Sequence, residues 1–241
     1  MKTPNGIPED DDGYERDIKV EYLPEESTEY DLSFKIIIIG DSGVGKSSLS
    51  TQAVKDTFSD FYQTTVGFEF LTFNMKLNNT IIKLQIWDTC GQEVYRSLIT
   101  NFYRNSSLAV LVYGIDSEES FKNIPTWYTE LKRQANPDIK CILVGNKCDL
   151  EEKRAISKEE GEKLRNEKNI DLFLEASAKT GFNAKNVLVE AAKILYRDYL
   201  EYQRKHGKNA IYGHSVTAKR PQVSLKNINN DTSKSKNCCS K

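Results

Sequence analysis

The sequence predicts an α/β protein built on a six-stranded, mostly parallel sheet with one antiparallel edge strand and helices on both faces. Short apolar runs alternate with stretches of helical periodicity between residues 33 and 203. This alternation is typical of parallel sheets whose crossover helices cover both faces. The second and third predicted strands are separated only by Asn78-Asn79, which favours a tight turn and therefore one antiparallel pair.

The individual elements follow from hydrophobic periodicity along the chain. Predicted strands cover residues 34–39, 69–77, 80–87, 108–113, 140–145 and 171–175. Predicted helices cover residues 47–55, 118–134, 157–168 and 184–203. Ligands bind at the carboxyl ends of the strands in sheets of this kind, so we expect functional residues in the loops that follow the strands.

Two flanking segments differ in composition from this central domain, which we place at residues 33–203. Residues 1–32 are rich in acids and poor in apolar side chains, so they predict a disordered acidic arm. A solvated arm without function is favoured over a partner-binding one, because no motif supports the second interpretation. Residues 204–241 carry many Lys and Arg against the single acid Asp231, and they predict a flexible basic tail.

Composition narrows the classes of function. A chain of 241 residues with 38% apolar and 29% charged residues supports one globular core. The net charge of −1 gives no argument for a nucleic-acid partner, and we expect a monomer. The chain has no long apolar run and begins with an acidic segment, which argues against a spanning helix and a signal peptide. Its five cysteines form no C-x-x-C pair, so we expect reduced thiols and an intracellular domain.

The loop after the first predicted strand matches the phosphate-binding pattern G-x-x-x-x-G-K-S/T over Gly40–Ser47. A strand, a glycine-rich turn and a helix N-terminus bring backbone N–H groups and the positive end of the helix dipole to one point. Lys46 is then placed to neutralise phosphates, and Ser47 to ligate Mg²⁺. The candidate contacts are Asp41, Ser42, Gly43, Val44, Gly45, Lys46, Ser47 and Ser48. The complete pattern disfavours the alternative, a turn that binds nothing.

A second set of residues selects guanine as the base. The motif Asn146-Lys147-Cys148-Asp149 follows a predicted strand, and its Asp is able to accept from both N1–H and the exocyclic amine of guanine, a pair that adenine lacks. Asn146 is expected at the ring edge and the Lys147 stem along the base. The loop Ser177-Ala178-Lys179 follows the last strand, where the Ala178 N–H is placed for the guanine carbonyl oxygen. Phe58 has two interpretations of equal weight, a ring stacked on the base or an ordinary core residue.

A third set of residues points to hydrolysis. The strand that ends at Trp87 is followed by Asp88-Thr89-Cys90-Gly91-Gln92. Asp88 is placed to hold Mg²⁺, the Gly91 N–H to contact a γ-phosphate, and Gln92 to orient the attacking water. Thr65, in a polar loop between a helix and a strand, is expected to complete the Mg²⁺ shell.

Together these motifs resemble the Rab family of the Ras superfamily of small GTPases, over residues 34–203. The resemblance is carried by the segments Trp87–Glu93, Tyr95–Leu98, Phe102–Arg104 and Gly145–Asp149, and by the terminal cysteine pair. Two further segments, Tyr62–Gly67 and Arg96–Ile99, lean towards the Golgi-trafficking subgroup. The resemblance implies a P-loop NTPase small G domain that regulates vesicle trafficking by cycling between an effector-binding GTP state and a GDP state. It also implies slow intrinsic hydrolysis, because no arginine finger is evident in the chain.

The terminal sequence Asn237-Cys238-Cys239-Ser240-Lys241 fits single C-a-a-X prenylation poorly. In the Rab family a C-C-x-x end implies double geranylgeranylation, and two lipid chains anchor far more firmly than one. The basic tail adds about 1 kcal/mol for each Lys or Arg that approaches an anionic surface. The resemblance therefore implies the cytoplasmic face of an endomembrane such as the Golgi or an endosome, in exchange with the cytosol. The implied partners are an exchange factor, an activating protein, a GDP-dissociation inhibitor, the prenylation machinery and effectors.

Three departures from the Rab pattern leave hydrolysis or the partners open: Cys90, Gly114 and Glu93-Val94-Tyr95, the last in place of a more basic run. Cys90 stands where Rabs have Ala, so a GTP-binding scaffold with impaired hydrolysis is the second hypothesis, although Gln92 argues against it. Gly114 stands where an Asp is usual at the end of the fourth strand. A metabolic P-loop kinase is the third hypothesis, but the chain shows no phosphoacceptor domain or lid, and that function does not explain Asn146 and Asp149.

Overall fold

The computed structural model describes residues 18–60, 67–89, 102–207 and 212. Within them the backbone forms one seven-stranded sheet in the order β1-β3-β4-β2-β5-β6-β7. The strands are β1 (Val20–Leu23), β2 (Leu32–Ile39), β3 (Phe68–Leu77), β4 (Thr80–Thr89), β5 (Leu108–Gly114), β6 (Lys140–Asn146) and β7 (Leu172–Glu175).

The pairing of the strands confirms a mostly parallel sheet. β2 pairs in parallel with β4 and β5, and β5, β6 and β7 continue in parallel. β3 pairs antiparallel with β4 through the predicted turn at Asn78-Asn79, where Asn78 adopts a left-handed φ of 55°. The prediction of six strands was wrong by one, because β1 pairs antiparallel with β3 at the outer edge.

The additional strand lies inside the segment predicted to be a disordered arm. Its backbone is in register with the far end of β3, with Val20 opposite Leu77 and Leu23 opposite Asn74. The Asn74 amide also donates to the carbonyls of Pro24 and Glu25, at 3.1 and 3.0 Å. The boundary predicted at residue 33 therefore lies within the sheet. The sequence did not reveal this strand because it has four residues and its partner is more than fifty residues away.

Four helices of ten or more residues are described in these ranges, and they cover both faces of the sheet. They are α1 (Lys46–Lys55), α2 (Glu118–Gln134), α3 (Lys158–Lys168) and α4 (Ala184–His206), with a short 3₁₀ helix at Glu151–Lys153. Alternate residues of one strand serve the two faces: Ile36 and Ile38 join the core under α1 and α4, whereas Ile37 and Ile39 join the core under α2 and α3. A strand that is apolar at every position therefore needs cover on both sides, as the sequence predicted.

Side-chain caps mark the start of two of the helices. Ser117 accepts from the Ser120 N–H at the start of α2, and Ser157 forms a capping box with Glu160 at the start of α3. α1 begins at Gly45, which has no side chain to cap the helix, as suits a helix N-terminus in a phosphate-binding loop. No helix in the described ranges combines the length and apolar character needed to span a bilayer.

The end of α4 extends past the predicted boundary at residue 203. The helix continues to His206, and Tyr212 lies against it. The Tyr212 hydroxyl donates to the Asp198 carboxylate, and its ring makes edge contacts with Tyr199 and Tyr202 at centroid distances of 5.6 and 5.1 Å.

Candidate functional site

The loop between β2 and α1 is shaped by close backbone approaches. A Cβ atom at Gly40 would lie 2.1 Å from the Val112 carbonyl oxygen, and one at Gly45 would lie 2.5 Å from the Asn146 amide nitrogen. Both glycines have positive φ, 143° and 89°, which other residues adopt only with strain. The predicted glycines are therefore needed for the turn itself, whatever it binds.

Lys46 lies at the first position of α1 and is 5% exposed. Its ammonium group donates to the Asp41 carbonyl oxygen at 2.7 Å, so the side chain lies back over the loop. Ser42 and Gly43 are exposed at the tip of the loop, Ser47 and Ser48 are half-buried, and Val44 is buried beneath it. The arrangement places the Lys46 cation beside the backbone of the loop at a helix N-terminus, the chemistry that a polyphosphate requires.

The Asp41 side chain faces away from this loop interior. One carboxylate oxygen accepts from the Asn123 amide and the other from the Trp127 indole N–H, both at 2.7 Å. Any contribution of Asp41 to a ligand in this arrangement comes from its backbone. Its carboxylate instead fastens the loop to α2, a role that the sequence did not reveal.

Asn146 joins three loops that are far apart in the chain. Its amide N–H donates to the Val44 carbonyl oxygen at 2.8 Å, and its amide oxygen accepts from the Ala178 N–H at 3.2 Å. The side chain is fully buried. The sequence placed Asn146 at the edge of a base, whereas both ends of its amide bind protein groups here, including the Ala178 N–H predicted to meet the guanine carbonyl.

Asp149 and Ser177 form the edge of the site opposite the phosphate loop. The Ser177 hydroxyl is buried and donates to one oxygen of the Asp149 carboxylate. Asp149 itself is exposed, so its carboxylate is oriented by one protein bond while remaining open to a ligand. A fixed carboxylate facing solvent suits a ligand with two adjacent N–H groups.

Lys147 follows Asn146 with a left-handed φ of 67°. Its ammonium group pairs with the Asp116 carboxylate at 3.1 Å. None of the sequence motifs includes Asp116, although it lies just beyond the carboxyl end of β5, where ligands are expected in such sheets.

The Phe58 ring is 38% exposed, which excludes the interpretation as an ordinary core residue. The segment that carries it approaches the Ser177-Ala178-Lys179 loop, because the Lys179 ammonium lies 3.7 Å from the Asp60 carboxylate. An exposed aromatic face beside the base-edge loops remains consistent with stacking.

Asp88 supplies the test of whether Mg²⁺ fits this site. It is fully buried at the carboxyl end of β4, and neither carboxylate oxygen has a hydrogen-bond partner among the described residues. Desolvation raises the pKa of Asp88 to about 6, although the nearby Ser47 hydroxyl and Lys46 ammonium oppose the rise. A buried carboxylate without a partner is costly, and a hard cation held by oxygen ligands would remove that cost. The donor set of Ser47 and Asp88 therefore fits Mg²⁺.

Several predicted residues lie outside the described ranges. They are Thr65, Cys90, Gly91, Gln92, Cys238 and Cys239. The predicted metal contact of Thr65, the hydrolytic role of Gln92 and the lipid attachment sites stay predictions.

Comparison with known proteins agrees with this geometry. Residues 35–197 match the model of the Ras family. The Ras-related protein SEC4 of Candida albicans is 41% identical over 175 residues, an alignment that spans 73% of this chain and 83% of the relative. The SEC4 sequences of strains WO-1 and SC5314 give the same values.

Proposed function

Because the chain belongs to the Ras family of small GTPases and to its Rab branch, we propose that it is a GTP-hydrolysing switch that regulates vesicle trafficking. It alternates between a GTP state that binds effectors and a GDP state that releases them. The observation that carries the proposal is the Asn146 amide, which ties the phosphate loop to the Ala178 loop. A phosphate site and a base-edge carboxylate then stand at a fixed separation, as one nucleotide requires.

Each group has a defined task in this proposal. The N–H groups of the loop and the Lys46 ammonium bind the β- and γ-phosphates, and Asp149 accepts from the two N–H groups of guanine. A site built to bond these two N–H groups discriminates against a base that lacks them, because its carboxylate then loses its partners when the base displaces water. Gln92 orients the attacking water, and the Gly91 N–H contacts the γ-phosphate.

The proposed Mg²⁺ ligands are Ser47, Thr65 and Asp88. When bound, the ion neutralises charge on the phosphates as the γ-phosphoryl group is transferred. The buried, unpartnered carboxylate of Asp88 supports this assignment.

Hydrolysis is tested by a single turnover of Mg²⁺·GTP on the full-length protein. We expect slow cleavage by the natural protein, comparable cleavage by Cys90→Ala, and at least tenfold slower cleavage by Gln92→Leu with unchanged GTP binding. Cleavage by Cys90→Ala alone would favour the GTP-binding scaffold with impaired hydrolysis. A Gln92→Leu rate equal to that of the natural protein would assign the water-orienting role to another residue.

Membrane attachment forms the second half of the proposal. Prenylation of Cys238 and Cys239, assisted by the basic tail, would hold the protein on the cytoplasmic face of an endomembrane. An exchange factor, an activating protein, a GDP-dissociation inhibitor and the prenylation machinery would then control the cycle. Changing both cysteines to Ser should move the protein from the membrane to the cytosolic fraction in cells, whereas Ser240→Ala should not. Unchanged fractionation of the double variant would refute the anchor.

A further inference from the structure

Asp116 and Lys147 form an ion pair beside the base-edge motif. Their charged groups lie 3.1 Å apart, and the two side chains are only 22% and 31% exposed. Asp116 comes two residues after β5 ends, and Lys147 comes one residue after β6 ends. Because β5 and β6 are adjacent parallel strands, their carboxyl ends bring these two residues together.

The ion pair depends on the absence of a side chain at Gly114. A Cβ atom at that position would lie 2.4 Å from one oxygen of the Asp116 carboxylate and 3.6 Å from the Lys147 ammonium nitrogen. The Gly114 N–H is itself held by the Ser120 hydroxyl at 3.1 Å, so this backbone has little room to move away. Gly114 therefore provides the space in which the carboxylate sits.

The backbone around Lys147 is fixed, but its long side chain would otherwise be mobile. Asn146 on one side is fully buried and bonded at both ends of its amide. The Lys147 carbonyl accepts from the Leu150 N–H at 2.9 Å. Immobilising a Lys side chain costs free energy, because the chain loses rotamer entropy. A partner that orders the side chain before the ligand arrives removes that cost from binding.

We propose that Asp116 is a positioning residue, which holds the Lys147 stem in place against the base of the bound guanine nucleotide. This inference rests on the proposed function, in which Lys147 lies along guanine. Gly114 is also required for this arrangement, since any larger residue there would displace the Asp116 carboxylate.

Positioning of Lys147 and electrostatic repulsion of the phosphates would change nucleotide affinity in opposite directions when Asp116 is removed, so the direction of the change distinguishes them. The Asp116 carboxylate repels the negatively charged phosphates, and its removal would strengthen binding if repulsion were its main influence. Positioning predicts instead that its removal weakens binding. The rate of nucleotide dissociation separates the two effects.

The experiment measures dissociation of a fluorescent GDP analogue from the full-length protein, in excess unlabelled GDP at fixed Mg²⁺. We expect Asp116→Asn, which keeps the shape of the side chain, to dissociate GDP about fivefold faster. The matched control is Glu118→Gln, which removes an exposed ion pair with Lys122 on the first turn of α2. Its rate should equal that of the natural protein. An unchanged or slower rate for Asp116→Asn would overturn the proposal.

A double-mutant cycle separates positioning from a general loss of structure. In a Lys147→Met background, which keeps the apolar stem and removes its charge, Asp116→Asn should cause no further acceleration. If Asp116→Asn accelerated dissociation as much in the Lys147→Met background as in the natural protein, Asp116 would act independently of Lys147 and the proposal would be overturned. Gly114→Ala provides a second route, because it displaces the carboxylate without altering its charge, and it should reproduce the faster rate.

The same measurements distinguish this inference from the function on which it rests. Failure of the natural protein to bind GDP would overturn both. Tight binding by the natural protein with the same dissociation rate in Asp116→Asn and Gly114→Ala would leave the GTPase proposal standing and remove only the role of Asp116.

Discussion

At the scale of single residues, the centre of the site is the buried amide of Asn146. One side chain satisfies the Val44 carbonyl and the Ala178 N–H, so the positions of the phosphate loop and the base-edge loop are coupled through it. The short motif around Asn146 is visible in the sequence, but the two partners of its amide lie 102 and 32 residues away. The motif therefore identifies the residue but does not indicate which hydrogen bonds its side chain makes.

Asn146→Ala should both destabilise the fold and weaken nucleotide binding. The substitution leaves two buried backbone groups without partners, which costs about 2–4 kcal/mol in the free energy of unfolding. Urea unfolding of the nucleotide-free protein measures this loss. Asn136→Ala is the control, since Asn136 is exposed and its side chain accepts only a local hydrogen bond from the Asp138 N–H among the described residues. Equal unfolding midpoints for the two variants would contradict the bridging role.

At the scale of elements, β1 extends the sheet beyond the hairpin of β3 and β4. The Lys19 backbone and Asn78 exchange two hydrogen bonds, at 3.0 and 2.9 Å, next to the predicted turn. Val20 packs against the core, whereas the Tyr22 ring lies over Phe73 at a centroid distance of 5.9 Å. β1 has few apolar residues, and it is ordered because the long strand β3 has an edge available for backbone pairing.

Val20→Asp should lower the stability of the sheet edge without altering nucleotide affinity. The change places a carboxylate against the core, and we expect a loss of about 1–3 kcal/mol in the free energy of unfolding. Thermal unfolding with GDP titration reports both quantities, and Glu21→Gln, at an exposed position of the same strand, serves as the control. Weaker GDP binding in proportion to the lost stability would mean that β1 supports the site directly.

At the scale of the whole molecule, the site and the two ends of the described chain lie at opposite ends of the parallel strands. Lys140 begins β6 and pairs with Asp198 at 3.0 Å, whereas Asn146 ends β6 within the site. The described chain therefore enters near Lys19 and leaves near Tyr212 at the amino-terminal edge of the parallel strands. The described ends of the chain are therefore remote from the loops that form the site.

Tyr212 packs against the C-terminal end of α4, and its removal should destabilise only that end of the helix. Tyr212→Ala removes two ring contacts and the bond to Asp198. We expect at least tenfold faster amide hydrogen exchange in the last turns of α4, because a fraying helix end loses its tertiary support. Tyr212→Phe keeps the ring contacts and removes only the hydroxyl, so its exchange rate should lie between those of the natural protein and Tyr212→Ala. Equal exchange in all three proteins would show that the helix end is stable by itself.

The order of the described strands and α-helices from β2 to α4, the phosphate loop and the identity of the base-edge motif follow from the sequence alone. These features are local, since they depend on periodicity and on residues within one turn of each other. The tertiary structure alone decided that β1 completes the sheet, that Asp41 binds α2, that Asn146 bridges loops and that Asp116 reaches Lys147. Each of these depends on contacts between residues distant in the chain, and such contacts exist only after the strands have been brought into register.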